Sequence, residues 1–131
     1  MSHIRIELRI TVGTDLEHLS ILRSHVVCAA RDFGADDDTI GDFELVVSEL
    51  ATNVMQHTKA EELTIAFQRS EDTWVLDVSD AHELADFGTL VPAAADEIDG
   101  RGLFIVRTLM DSVEIVTHDE RQLVRCKKIA A

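Results

Sequence analysis

Residues 44–58 read ELVVSELATNVMQHT, and the spacing within this stretch decides the fold. Val46, Val47, Leu50 and Val54, with Phe43 just upstream, recur at three and four, as in one buried stripe of an α-helix. The pattern predicts a helix from about Thr39 to Gln56. Glu49 and Asn53 lie one turn apart on the flank of that stripe, so a carboxylate and a carboxamide project from the same side. Such a pair can hold a hard cation and polarise a hydroxyl.

Downstream, Gly100-Arg101-Gly102 opens a second apolar segment, read as a helix over 102–111. Glycines leading into a helix offer bare backbone N–H groups at the positive end of the dipole, an arrangement suited to phosphate. The two motifs together point to a magnesium–nucleotide site, which neither would indicate alone.

Around these motifs the chain alternates between strand-like and helix-like periodicity. IRIELRI, residues 4–10, has the period of two expected of a strand, as do 63–69, 74–79, 113–117 and 123–129. Ser70-Glu71-Asp72-Thr73 reads as a hairpin turn. Thr14 and Glu17 have the form of a capping box for a helix over 16–33, with Gly34 placed to end it. Asp36-Asp37-Asp38 lacks the spacing of a calcium loop and reads as a solvated charge cluster before the next helix. Residues 80–99 lose all periodicity and contain the sole proline, Pro92, which predicts a long loop. The sum is an α+β fold. It is expected as a two-layer sandwich, with helices covering one face of a mixed, mostly antiparallel sheet of about five strands.

Composition narrows the function. At 131 residues with 46% hydrophobic and 28% charged side chains, the chain fits one domain, 1–131, able to bury a core. The net charge of −13 disfavours nucleic acid. It equally requires that a bound nucleotide be neutralised locally by Mg²⁺, a helix N-terminus or arginine, and it suits a partner protein with a basic face. No stretch approaches a membrane span, and the N-terminus lacks a signal peptide's apolar run, so a cytoplasmic protein is expected. The six histidines form no metal-binding spacing. Cys28 and Cys126 are far apart and read as reduced thiols, with Cys28 packed as a small apolar side chain.

Glu49-Leu-Ala-Thr-Asn53, a strand ending in Asp80, a long loop and Gly100-Arg-Gly-Leu-Phe-Ile-Val106 together resemble the GHKL (Bergerat-fold) ATP-binding domains. Within that superfamily the chain is similar to the small anti-sigma-factor serine/threonine kinases. The resemblance implies ATP and Mg²⁺ as cofactors and a Bergerat fold. It implies Asn53 as magnesium ligand and Glu49 as the general base that accepts the substrate hydroxyl proton. It further implies Asp80 as acceptor of the adenine amino group, and Gly100, Arg101 and Gly102 as phosphate contacts at the end of a lid, residues 81–99. A sigma factor and an antagonist protein are the implied partners, with a possible homodimer formed through the helical face over 16–33.

Two departures stand out. The family's Asp-x-Gly-x-Gly appears here as Asp80-Ala81-His82-Glu83-Leu84, without either glycine. The last strand's adenine-reading threonine is replaced, with Leu123 assigned to its place. The alternative function is therefore a degenerate nucleotide-binding fold that acts as a protein-interaction switch without kinase activity.

Overall fold

The computed structural model describes residues 5–57, 60–80, 101–118 and 121–130. Five strands form one sheet: β1 (Arg5–Gly13), β2 (Glu62–Ser70), β3 (Thr73–Ser79), β4 (Ser112–His118) and β5 (Arg121–Ile129). Their order is β1-β2-β3-β5-β4, and every pairing is antiparallel. Three helices, α1 (Leu19–Asp32), α2 (Asp37–His57) and α3 (Arg101–Leu109), supply the second layer. Apart from the sheet being antiparallel throughout, this is the sandwich the periodicity predicts.

The period of two in each strand divides the sheet into two faces. Leu63, Ile65 and Phe67 of β2, Trp74, Leu76 and Val78 of β3, and Val124 and Cys126 of β5 join one core with the buried stripes of the helices. Those stripes are Leu22, Val26, Ala29 and Ala30 of α1, Phe43, Val46, Val47, Leu50 and Ala51 of α2, and Leu103 and Val106 of α3. At the centre Phe67 stacks on Trp74 with centroids 5.6 Å apart, while Phe43 meets Phe67 edge-on at 4.8 Å. Arg69 covers the outer face of Trp74 at 4.8 Å and donates from Nη1 to the Phe33 carbonyl at 2.6 Å. The opposite sheet face carries a partly buried ion pair, in which Arg125 donates to both oxygens of the buried Asp77 carboxylate at 2.8 and 2.9 Å. Those hydrogen bonds, more than the charge itself, push the Arg125 guanidinium still further up.

Local signals fare unevenly. Gly34 closes α1 as expected: at φ +93° it donates to the Arg31 carbonyl while Ala35 donates to that of Ala30, the paired bonds of a Schellman cap. The capping box at Thr14 does not form. The Thr14 hydroxyl donates instead to the Ala60 carbonyl at 2.8 Å and its amide to that of Glu61, so it extends the β1–β2 connection. Residues 16–18 form a 3₁₀ turn whose N-cap, Asp15, makes no side-chain cap bond, and Leu16 is 54% exposed. The α-helix starts only at Leu19. The aspartate cluster is more than a solvated patch. Asp36 Oδ1 accepts the Thr39 amide at 2.8 Å as a true N-cap, so α2 begins at Asp37. Hydrogen bonding from the Thr39 side chain, then its amide, holds the Asp36 carboxyl below its ordinary value. In the hairpin Ser70 pairs with Thr73, and Glu71 takes φ +53°, a conformation costly to a side-chain-bearing residue.

The cysteines also differ from expectation. Cys28 is exposed, because it falls on the outer side of α1, away from the Leu22–Val26–Ala29 stripe. Cys126 is fully buried, and burial pushes its thiol up to about 12. Alkylation of the native protein near neutral pH is therefore expected to label one thiol, Cys28, within minutes, and the second only in denaturant. Peptide mass mapping that finds Cys126 labelled as fast as Cys28 would refute that burial.

Candidate nucleotide site

The candidate residues sit on the helix-covered side of the sheet, where α2 packs against both β3 and α3. Leu50 and Ala51 bury the inner side of α2 in the core, which turns Glu49 and Asn53 onto its flank, both half-buried. No hydrogen bond or ion pair engages either side chain among the described residues. Asp80 follows β3 with the same parity as Leu76 and Val78, and so lies on the face that α2 covers. It extends the β3–β5 ladder by one rung: its amide donates to the Gln122 carbonyl at 3.2 Å, and its Oδ1 accepts the Gln122 amide at 2.7 Å. Among the described residues no donor engages the second carboxylate oxygen.

α3 is fixed at its far end. Lys128 of β5 donates to the Leu109 carbonyl at 3.1 Å and pairs with Asp42 of α2 at 3.3 Å, while the Asp111 amide bonds the Lys127 carbonyl at 2.9 Å. Leu103 and Val106 seat its inner side in the core. Its first turn, starting at Arg101 and Gly102, presents helix N–H groups that no helical carbonyl claims. Gly100 and the expected lid, residues 81–99, lie outside the described residues.

The register corrects one assignment. Leu123 pairs with Ser79, faces away from the helices and is 1% exposed. Gln122 is the residue beside Asp80, so a carboxamide, and not a leucine, occupies the last-strand position next to that carboxylate. Sequence reading missed this because an offset of one residue in a strand exchanges its faces. The Asp77–Arg125 pair was missed for a related reason: the residues lie far apart in sequence, and only the β3–β5 register sets them opposite each other.

The donor set fits magnesium. Among the described residues no group of three or more His, Cys, Asp or Glu side chains could cage a metal. Mg²⁺ is ordinarily held by one or two protein oxygens together with waters and substrate phosphates, and the Asn53 carboxamide could supply one such oxygen beside the Glu49 carboxylate.

Residues 12–128 match the family described as "Histidine kinase-like ATPase domain". The chain belongs to that family. Among its relatives, this histidine kinase-like domain is 31% identical to the "Serine-protein kinase RsbW" of Bacillus cereus (strain ATCC 10987 / NRS 248), over 95% of the chain and 84% of the relative. The protein of the same name from Bacillus mycoides (strain KBAB4) matches with the same identity and coverage. In three dimensions the domain superposes on a Mycobacterium tuberculosis crystal structure of RsbU and RsbW domains with a TM-score of 0.73. The sequence identity there is 16%, and the match covers 95% of this chain and 32% of that one, a likeness of fold. Among the described residues no helix is long and apolar enough to cross a membrane.

Proposed function

We propose that the chain is a cytoplasmic Mg·ATP-binding protein kinase, one domain over residues 1–131, that phosphorylates a serine or threonine of an antagonist protein and sequesters a sigma factor. The observation that carries this reading is the Glu49–Asn53 pair, presented on one flank of α2 beside the sheet face that bears Asp80. Its membership in a kinase-like ATPase family, with relatives named as serine-protein kinases, supports the same reading.

In this reading Asp80 accepts the adenine amino group with the oxygen that Gln122 leaves free. Asn53 holds the magnesium ion that neutralises the phosphates, and Gly100, Arg101 and Gly102 receive the phosphates at the start of α3. Glu49 orients the substrate hydroxyl and takes its proton. Phosphoryl transfer asks mainly for positioning and charge neutralisation, which these groups supply.

Asn53→Ala is expected to abolish the magnesium-dependent part of ATP binding while leaving the melting temperature of the free protein within a few degrees. Isothermal titrations with ATP, with and without Mg²⁺, measure this. Identical isotherms for parent and variant in magnesium would remove Asn53 as ligand. A second reading, a switch without phosphotransfer, is favoured by the absence of both glycines after Asp80, where Ala81 to Leu84 stand. Nucleotide binding without transfer of labelled phosphate to any antagonist would select it.

A further inference from the structure

α3 has nine residues, too few to hold a helical position without its surroundings. Leu103 and Val106 decide which of its sides faces the core. Burial of that kind is non-directional, so it fixes the height of α3 against α2 less firmly than a polar contact does. Such a contact exists at the far end. Lys128 Nζ donates to the Leu109 carbonyl at 3.1 Å and pairs with Asp42 Oδ2 at 3.3 Å. One ammonium from β5 thus joins the last turn of α3 to the first half of α2. The Lys128 and Asp42 side chains are only 23% and 28% exposed, so water screens the pair less than it screens a surface pair. A cation is also well placed at the C-terminus of a helix, where carbonyls lack helical partners.

Connectivity gives the direction of the two helices. Every neighbouring pair in the order β1-β2-β3-β5-β4 is antiparallel, so β2 and β4 run opposite ways. α2 ends just before β2 begins, and α3 just before β4. Their C-termini therefore lie at opposite ends of the sheet, and the two helices, which pack on each other, run antiparallel. The Lys128 clamp sets Asp42 level with Leu109. Counted from there, Glu49 lies seven residues along α2 and Gly102 seven residues back along α3, each about 10 Å from the clamp. Around α2, Asp42, Glu49 and Asn53 fall within roughly 20° of one another. The flank that Asp42 turns toward α3 is thus the one that carries Glu49 and Asn53. Asp80 and Gln122 are remote from the clamp, since Lys128 stands about 20 Å along β5 from Gln122.

We propose that Lys128 is a positioning residue of the nucleotide site: by joining Asp42 to the end of α3, it sets the seam across which Glu49 and Asn53 face the first turn of α3. The inference rests on the nucleotide reading given above and adds a residue that touches neither nucleotide nor metal. Its effect falls on the magnesium–phosphate half of the site. The half around Asp80 is held separately, by the backbone of Gln122.

Lys128→Met removes both bonds and keeps an unbranched side chain. In the full chain it is expected to weaken Mg·ATP binding about tenfold by isothermal titration. Adenosine, followed through the NMR shifts of the Asp80 and Gln122 amides, should bind as it does to the parent. Lys128→Arg keeps the charge and the donors and should recover most of the loss, which a residue that merely fills space would not do. Asp42→Asn, a milder variant, leaves the bond to Leu109 and should lose about threefold. Without nucleotide, hydrogen exchange of the α3 amides should be about tenfold faster in Lys128→Met than in the parent, with the α1 amides unchanged. Equal Mg·ATP affinity for Lys128→Met and parent would overturn the positioning role and leave the nucleotide site standing. So would a parallel loss of adenosine binding, an arginine variant no better than the methionine one, or unchanged exchange in α3. A parent that binds no Mg·ATP overturns the nucleotide reading itself and this inference with it.

Discussion

Glu49→Gln is expected to leave the affinity for Mg·ATP close to that of the parent and to slow phosphotransfer to the antagonist by ~10²–10⁴. The exchange keeps the shape and half-burial of the side chain on the flank of α2. It removes only the capacity to accept a proton. Nucleotide binding is assigned to other groups, namely Asn53, Asp80 and the start of α3, so affinity and rate should separate. Single-turnover transfer of labelled phosphate measures the rate, and titration measures the affinity. Undiminished transfer by the variant would rule Glu49 out as base. Loss of affinity in parallel with rate would mean that its carboxylate serves the metal and not the hydroxyl.

The largest stability effect is expected at Trp74. The side chain is 1% exposed, stacks on Phe67 at 5.6 Å and lies beneath the Arg69 guanidinium. Trp74→Ala should cost about 3–5 kcal/mol, the usual range for removing a buried large aromatic side chain, and that is a sizeable share of the roughly 5–15 kcal/mol that stabilises a typical domain. Arg69 would also lose the ring over which it sits, although its bond to the Phe33 carbonyl keeps it in place. Urea unfolding followed by circular dichroism is the appropriate measurement, since the substitution removes the single tryptophan fluorophore. A cost below about 1 kcal/mol would show that the centre of the core lies elsewhere.

The sequence carried the fold where periodicity was long and the chemistry local. The stripe from Phe43 to Val54 predicted α2 to within two residues at its N-terminus, and one at its C-terminus, because burial sets that spacing. Gly34 was legible as a helix terminator because glycine meets little steric cost at positive φ. Thr14 misled because its hydroxyl had two possible partners, a helix amide nearby in sequence and the Ala60 carbonyl brought close by the β1–β2 pairing. The distant partner prevailed. Cys28 misled because a small apolar thiol suits either side of an amphipathic helix. Within the candidate site, the placement of Glu49 and Asn53 on one flank of α2 was legible because both lie on one helix. The partnership of Asp80 with Gln122 depends on the register between two strands separated by more than forty residues, and no local pattern encodes that register.

The position of β5 has a consequence for how the protein is made. This strand, the last of the five to leave the ribosome, lies inside the sheet, between β3 and β4. Until it emerges, β4 has no neighbour, β3 presents a bare edge, and the Asp80 amide and carboxylate lack the backbone that holds them. Helices α1 and α2 and strands β1, β2 and β3 can gather as each is synthesised, but the surroundings of Asp80 are assembled only when β5 is inserted. The nascent chain is therefore expected to depend on that insertion, a non-local and correspondingly slow step, to close an interior gap that would otherwise invite aggregation. Loss of residues from Gln122 onward would leave the same gap permanently open.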